Sequence, residues 1–324
     1  YIYELAITAN RPDGMSMIGI AREISALLQT KLIFPEIIDN VPTQKFNPKI
    51  NSTKAINRDS IYTLSLINNL DGNKLSPKWM KDRLEKSEIK SINLIVDITN
   101  YVLLEQGQPF HAFDNDKLSK LLGKSIIPSD FGIRDGIDGE KLNGLDGKTY
   151  YLNENITVIT CMDKPIAIAG VIGGMETSVT QSTKSIFLES AVFNPPTIRK
   201  SSKEIGLRTE SSSRFEKGIS KKNTIFSIKR AFKLFNDFFK LSDCTIYISE
   251  DISEESKIIK LRRERIHFIL GPIIDKTVIN NVSSKRNLSD REITEKLELI
   301  GCKLSNRDYG WDVEVIPNRS HDLL

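Results

Sequence analysis

The chain has 324 residues, long enough for two or three domains that each bury a core. A net charge of +4 is too small for composition alone to announce a nucleic-acid binder; no apolar run approaches the roughly 20 residues that cross a bilayer, and nothing near Tyr1 has the order of a signal peptide. Cys161, Cys244 and Cys302 stand far apart, with no Cys-x-x-Cys and no histidine at ligand spacing, which argues against a disulfide framework or a structural zinc site and for a reducing compartment, the cytoplasm or a plastid stroma.

In chain order, Asn10-Arg11-Pro12-Asp13-Gly14 is turn chemistry, and Met17, Ile20, Ala21, Ile24, Leu27 and Leu28 recur at helical spacing. Residues 1–36 are therefore expected to be the tail of a small domain, and both ends of the chain to be cuts in something longer. Residues 37–58 are polar and linker-like, and Ile61–Ile67 reads as a strand. Ser76-Pro77 predicts a helix capped by Ser76 and running to Lys86. From Ile92 to Glu105 the period is helical again, with Leu94, Ile95, Ile98 and Val102 on one side and Asn93, Asp97 and Asn100 on the other. That polar stripe either meets water or serves a site, since Asn and Asp are poor choices for mere solubility on a helix.

Beyond Asp114 the reading is strands and turns, punctuated by Asp135-Gly136, Asp138-Gly139, Asn143-Gly144 and Asp146-Gly147, with strands at Ile156–Thr160, Ile166–Ala169 and Ser185–Leu188. A basic helix follows at Asn223–Phe239 and a strand at Cys244–Ile248. After the acidic stretch 250–255, the remainder reads as a small helix-and-strand unit, with helices at Arg263–Leu270 and from Ser289 or Asp290 to Ile300, and a strand at Trp311–Ile316. The fold class is mixed α+β, with domains at 1–36, 37–245 and 246–324.

Several stretches carry possible chemistry. His111, one of three histidines, lies between Phe110 and Phe113 in a Gly-Gln-Pro-Phe-His-Ala-Phe-Asp segment and is either a core residue or a catalyst. Glu189 ends an apolar run, so it stands at a solvent edge or in a pocket. Ala169-Gly170-Val171-Ile172-Gly173-Gly174 is neither a P-loop nor a dinucleotide fingerprint; its glycines serve tight packing or the close approach of a ligand. Thr209 through Gly218 is a capped helix start or a substrate-contacting loop. The basic residues crowded between Arg199 and Lys233 form a phosphate-facing surface or a solvated helix face. No serine or cysteine triad is recognisable.

Taken together these segments resemble the beta subunit of the bacterial-type phenylalanine–tRNA ligase. The match runs through Asn10-Arg11-Pro12-Asp13, Ser76-Pro77-Lys78-Trp79, Val96-Asp97-Ile98-Thr99-Asn100, Gly107 through Asp114, Leu145-Asp146-Gly147, Ala169 through Gly174, Glu189-Ser190-Ala191-Val192-Phe193 and Thr209 through Gly218, in the family's order. The resemblance implies that 37–245 is a mixed-sheet editing domain that hydrolyses tyrosine wrongly attached to the phenylalanine tRNA, followed by a small winged-helix-like unit. It implies Glu189 as the reader of the tyrosine hydroxyl, His111, Thr99 and Asn100 at the ester end, Gly170 and Gly173 as room for the aminoacyl group, and Thr209 with Ser211 as the wall. Lys90, Arg208, Arg214 and Lys217 are the expected tRNA contacts. Lys90 stands where the family usually has arginine, which removes a two-pronged contact, and Ser211 where many members have alanine. Also implied are an alpha subunit in an alpha-two beta-two assembly, ATP and Mg2+ for the whole ligase, and no cofactor or metal on this segment. The competing expectation from another class is a non-catalytic scaffold for tRNA and subunit assembly; a duplex-DNA binder, resting on the basic stretch and the last unit, is a third.

Overall fold

The computed structural model describes residues 2–52, 56, 60–250, 258–275, 284–316, 319 and 322. It divides into two compact units, residues 1–18 with 34–252, and residues 19–33 with 253–324. The acidic stretch read as a boundary lies mostly outside the described residues.

The strands of the first unit are β1 (Thr43–Lys45), β2 (Lys49–Ile50), β3 (Ile61–Ile67), β4 (Phe110–Asp114), β5 (Phe131–Asp135), β6 (Lys141–Asn143), β7 (Thr149–Tyr151), β8 (Thr157–Cys161), β9 (Lys164–Ile168), β10 (Ile172–Gly173), β11 (Ile186–Val192) and β12 (Ile246–Ile248). They build a five-stranded sheet in the order β1-β12-β3-β11-β4 and a second in the order β10-β9-β8-β5-β2, with a small β6-β7 hairpin. All pairings are antiparallel except β1 with β12 and β2 with β5.

Alternation along the strands sorts the first sheet's side chains into two layers. Tyr62, Leu64, Phe113, Phe187 and Ala191 join Phe131, Ile133, Val158 and Ile168 of the second sheet in one core. Phe131 inserts between Phe113 and Phe187, with ring centroids 5.7 and 5.0 Å away. Most of α1 (Met17–Leu28) belongs to the second unit. The opposite face, with Ile61, Ala112, Ile186, Leu188 and Val192, is covered by helices, chiefly α2 (Lys78–Lys86), α3 (Leu94–Gln106) and, beyond α4 (Asn115–Leu122), α5 (Pro195–Glu204) and α6 (Glu210–Lys217), the long α7 (Lys221–Phe239). The unit thus stacks sheet, sheet and helices.

Three local expectations change. Ser76 does not cap α2; Pro77 occupies the cap position, and the Ser76 hydroxyl donates instead to the Asp97 carboxylate. The strand read as ending at Leu188 continues to Val192, buried throughout, so Glu189 sits in its middle. A strand covered on both faces has no polar alternation to mark its end, and the Glu-Ser pair reads from sequence as a terminus. The segment after Asp114, read as strand and turn, opens on α4, capped by Asp114 accepting from the Lys117 amide at 2.9 Å and closed by Gly123 at φ +72°.

The second unit holds β13 (Ile258–Arg262), α8 (Arg263–Leu270), β14 (Ile273–Asp275), β15 (Ser284–Arg286), α9 (Asp290–Leu299), β16 (Lys303–Arg307) and β17 (Gly310–Glu314). β17 is central in a three-stranded antiparallel sheet, and Trp311, Val313, Cys302 and Ile293 form a small core with α9. Ser289 and Glu292 make a capping box on α9, which starts where the sequence reading places a helix. Among the described residues no helix is long and apolar enough to cross a membrane.

Candidate functional site

Three neighbouring strands, β3, β11 and β4, carry Tyr62, Glu189 and His111 on the face turned to the second sheet. Glu189 pairs with Leu64 on one side and with His111 on the other. The histidine is therefore not across a cleft from the carboxylate but its ladder neighbour on the same sheet face. Tyr62 lies diagonally, opposite Ala191, and its hydroxyl donates to Glu189 Oε2 at 3.0 Å.

Burial dominates the electrostatics. Glu189 is 7% exposed, and loss of solvent pushes its carboxyl up to about 7, against the opposing hydrogen bond from Tyr62. Tyr62 is fully buried; burial first, then the Glu189 charge, raises its phenol well above the ordinary value, so it is a neutral donor. Burial lowers His111 to about 4, which makes it a neutral imidazole at physiological pH. Its Nε2 is enclosed and meets no hydrogen-bond partner among the described residues. An enclosed ring nitrogen without a partner is costly, and sites that bind something are where such groups persist.

The glycines around this face have distinct tasks. A Cβ on Gly173 would stand 2.0 Å from His111 Cε1 and 2.6 Å from Nε2, so the imidazole occupies the place of a side chain at 173. Gly173 is on β10 and His111 on β4, the edge strands of their sheets, so their contact lies at the rim where the two sheets meet. Gly170 holds φ +66°, and a Cβ there would press on Phe215, Ile198 and Phe193; its freedom serves the turn and aromatic packing. Thr209 caps α6, accepting from the Ser212 amide while donating to the Val171 carbonyl at 3.0 Å. The Thr209–Gly218 segment is thus a capped helix start, tied to the glycine turn, with Ser211 half-buried in its first turn.

Thr99 and Asn100 do not join this group through any described hydrogen bond. Both ride on α3, whose apolar side packs under the far face of the sheet; the Thr99 hydroxyl bonds the Val96 carbonyl of its own helix, and Asn100 is half-buried. The polar stripe to which Asn100 belongs is largely structural. Asn93 caps α3 through the Val96 amide, and Asp97, wholly buried, accepts from Ser76, Ser91 and the Ile92 amide.

The expected tRNA contacts separate. Lys90 is exposed, and Arg208 exposes 64% of its side chain beside Glu216. Arg214 is 5% exposed and donates to Glu210 and to the Met15 carbonyl, while Lys217 donates to the Ile7 carbonyl at 3.0 Å. Those two charges fasten the N-terminal segment. Along α7, Lys229 bonds the Asp39 carbonyl, Arg230 pairs with Glu105 at 2.7 Å and Lys233 with Asp237 at 2.7 Å, so the basic stretch is mostly partnered. Among the described residues no His, Cys, Asp or Glu side chains cluster as metal ligands. Sequence reading missed Tyr62; its only signal was a tyrosine inside a predicted apolar strand, where a buried hydroxyl requires a partner.

Residues 59–240, spanning all of these site residues, match the B3/4 domain family over more than half of the chain. The chain belongs to the B3/4 domain family. The resemblance to the phenylalanine–tRNA ligase beta subunit holds along its whole length. It is 61% identical over 329 residues to the "Phenylalanine--tRNA ligase beta subunit" of Prochlorococcus marinus (strain MIT 9312), covering 100% of this chain and 39% of that protein. It is 41% identical over 322 residues to the subunit of the same name from Synechococcus sp. (strain CC9605), covering 99% of this chain and 38% of that one. The chain thus spans about two fifths of the curated relatives' length. Among solved structures, an N-terminal fragment of the Pyrococcus horikoshii phenylalanyl-tRNA synthetase beta subunit is similar at TM-score 0.44 and 15% identity, covering 98% of this chain and 82% of that one.

Proposed function

We propose that the Glu189–His111 face of the B3/4 domain, within a functional domain at 37–245, hydrolyses tyrosine wrongly esterified to phenylalanine tRNA, as part of a phenylalanine–tRNA ligase. The observation that carries this reading is a buried carboxylate beside a neutral imidazole whose enclosed nitrogen has no partner. Tyrosine exceeds phenylalanine by one hydroxyl, which an apolar synthetic pocket rejects poorly, by about a hundredfold. A second site that hydrogen-bonds the hydroxyl discriminates better, because the smaller substrate leaves a buried acceptor unpaired. Glu189 is that acceptor.

An aminoacyl ester is already activated. Water adds to its carbonyl, the bond to the ribose oxygen breaks, and tyrosine leaves as the acid while the ribose regains its hydroxyl. Orienting the water and stabilising the developing oxyanion suffice, without a covalent enzyme intermediate. His111 orients water or the terminal ribose through its neutral ring. Gly173 leaves the room that ring needs, and Gly170, Thr209 and Ser211 shape the adjoining wall. Thr99 and Asn100, on the helix beside β4, are assigned to the pocket's rim. Of the four basic residues, Lys90 and Arg208 are the ones available to tRNA phosphates. The alpha subunit, ATP and Mg2+ belong to the charging reaction of the whole ligase.

The test is deacylation of Tyr-tRNA by the full-length ligase and its Glu189→Ala and His111→Ala variants. Both substitutions are expected to abolish most of the activity. Equal rates in all three would remove these residues from the site, and an inactive wild type would favour the non-catalytic scaffold.

A further inference from the structure

We infer that Tyr62 is a positioning residue that sets the specificity of the Glu189 site: it holds one carboxylate oxygen so that the other is left for an incoming phenol. The inference rests on the proofreading reading above and assigns a part to a residue that does not contact the ester.

Tyr62 is fixed along its length. Its amide bonds the Ser249 hydroxyl at 3.0 Å, its carbonyl accepts from the Ser249 amide at 3.0 Å, and its ring packs against Phe46 with centroids 6.2 Å apart. The phenol then crosses one ladder step diagonally to reach Glu189 Oε2. A carboxyl group held at one oxygen by a buried donor can rotate only by breaking that bond, so the plane of Glu189 is set before any ligand arrives. No described residue donates to Oε1.

The ligand hydroxyl and the resident one belong to the same chemical class. Two phenols on one carboxylate are compatible because ionised carboxyl oxygens only accept, and each has lone pairs to spare. The Tyr62 bond also favours the ionised form, opposing the burial that raises Glu189. The ionisable groups facing this pair are His111 from β4 and, near Tyr62 across the inter-sheet layer, Cys161 from β8. Burial lowers the first to about 4 and pushes the second up to about 12, so both are neutral, and among these neighbours it is the Tyr62 hydrogen bond that opposes the burial of the carboxyl.

The experiment compares the full-length ligase with its Tyr62→Phe variant, which keeps the ring and removes the hydroxyl. KM for Tyr-tRNA is expected to rise about tenfold with kcat little changed, the size of one hydrogen bond to a charged group. The preference for a tyrosyl over a phenylalanyl 3′-amide of adenosine, esters replaced so that they cannot hydrolyse, should fall by a similar factor. Infrared titration of the carboxyl band that Glu189→Gln removes should move to higher pH. An unchanged preference with an unmoved titration would overturn the inference. Should wild type neither hydrolyse Tyr-tRNA nor prefer the tyrosyl amide, the proofreading reading fails, and the carboxyl titration still decides whether Tyr62 controls Glu189. If Tyr62→Phe does not fold, difluorotyrosine at 62, a stronger donor of nearly the same shape, should move the titration to lower pH; no movement overturns the inference.

Discussion

His111 and Glu189 are both pushed toward neutrality by burial, and their effects on stability run in opposite directions with pH. The histidine titrates near 6.5 when unfolded and about 4 when folded, so its contribution is complete above 6.5 and lost as pH falls through 4. The carboxyl goes from 4.5 to about 7, so its contribution is complete below 4.5 and lost as pH rises through 7. The two windows overlap between 4.5 and 6.5 with opposite slopes and largely offset each other there, so we expect stability to fall more steeply with rising pH across that range in His111→Gln and to rise in Glu189→Gln, read as urea midpoints between pH 4 and 7. A variant that keeps the wild-type slope across that range would contradict the burial of that group. The residue types at this site were legible through family resemblance. Their adjacency was not, because Glu189 and His111 are far apart in sequence and only strand pairing makes them neighbours.

At the scale of elements, Asp97 shows how a helix can be misread from one side only. The sequence places it on a polar stripe of α3, which suggests water or a ligand. The structure buries it as acceptor for Ser76, Ser91 and the Ile92 amide, so it pins the start of α2 and the approach to α3. Asp97→Ala leaves three donors without their acceptor and is expected to cost about 3 kcal/mol in chemical denaturation, far beyond a surface change. A cost within ~0.5 kcal/mol would return the stripe to solvent. Long periodic helices and the apolar strand β3 were readable because their signals are local. Strands β13 and β16 were not: only Ile259 and Leu261 of the first and Leu304 of the second are partly covered, an apolar alternation too short to mark a strand.

Across the whole molecule, the net positive charge is distributed differently from what the basic stretch suggests. Partners from distant parts of the chain, Glu36, Asp39 and Glu105, meet the cations of α7, and proximity of that kind leaves no trace in a local count of lysines and arginines. Arg208 and Arg214 consequently separate by role. Arg208→Ala should lower the slope of log affinity for tRNA against log salt by about 0.7 to 0.9, the contribution of one phosphate contact. Arg214→Ala should leave that slope unchanged and reduce stability, since its guanidinium joins Glu210 to the Met15 carbonyl. Equal slopes for Arg208→Ala and wild type would remove Arg208 from the interface.

The pairing of Glu189 with His111 makes strand register a chemical coordinate. Successive residues of a strand point to opposite faces, so sliding β4 by a single position would turn the imidazole toward the helices and bring Phe110 or Ala112 opposite the carboxylate. An insertion or deletion in the Gly107–Pro109 approach to β4 can therefore silence the pocket while every site residue is still present in the gene and both sheets still form. For this protein, sequence identity at the site is a weaker guarantee of the proposed hydrolysis than unchanged spacing between the end of α3 and His111.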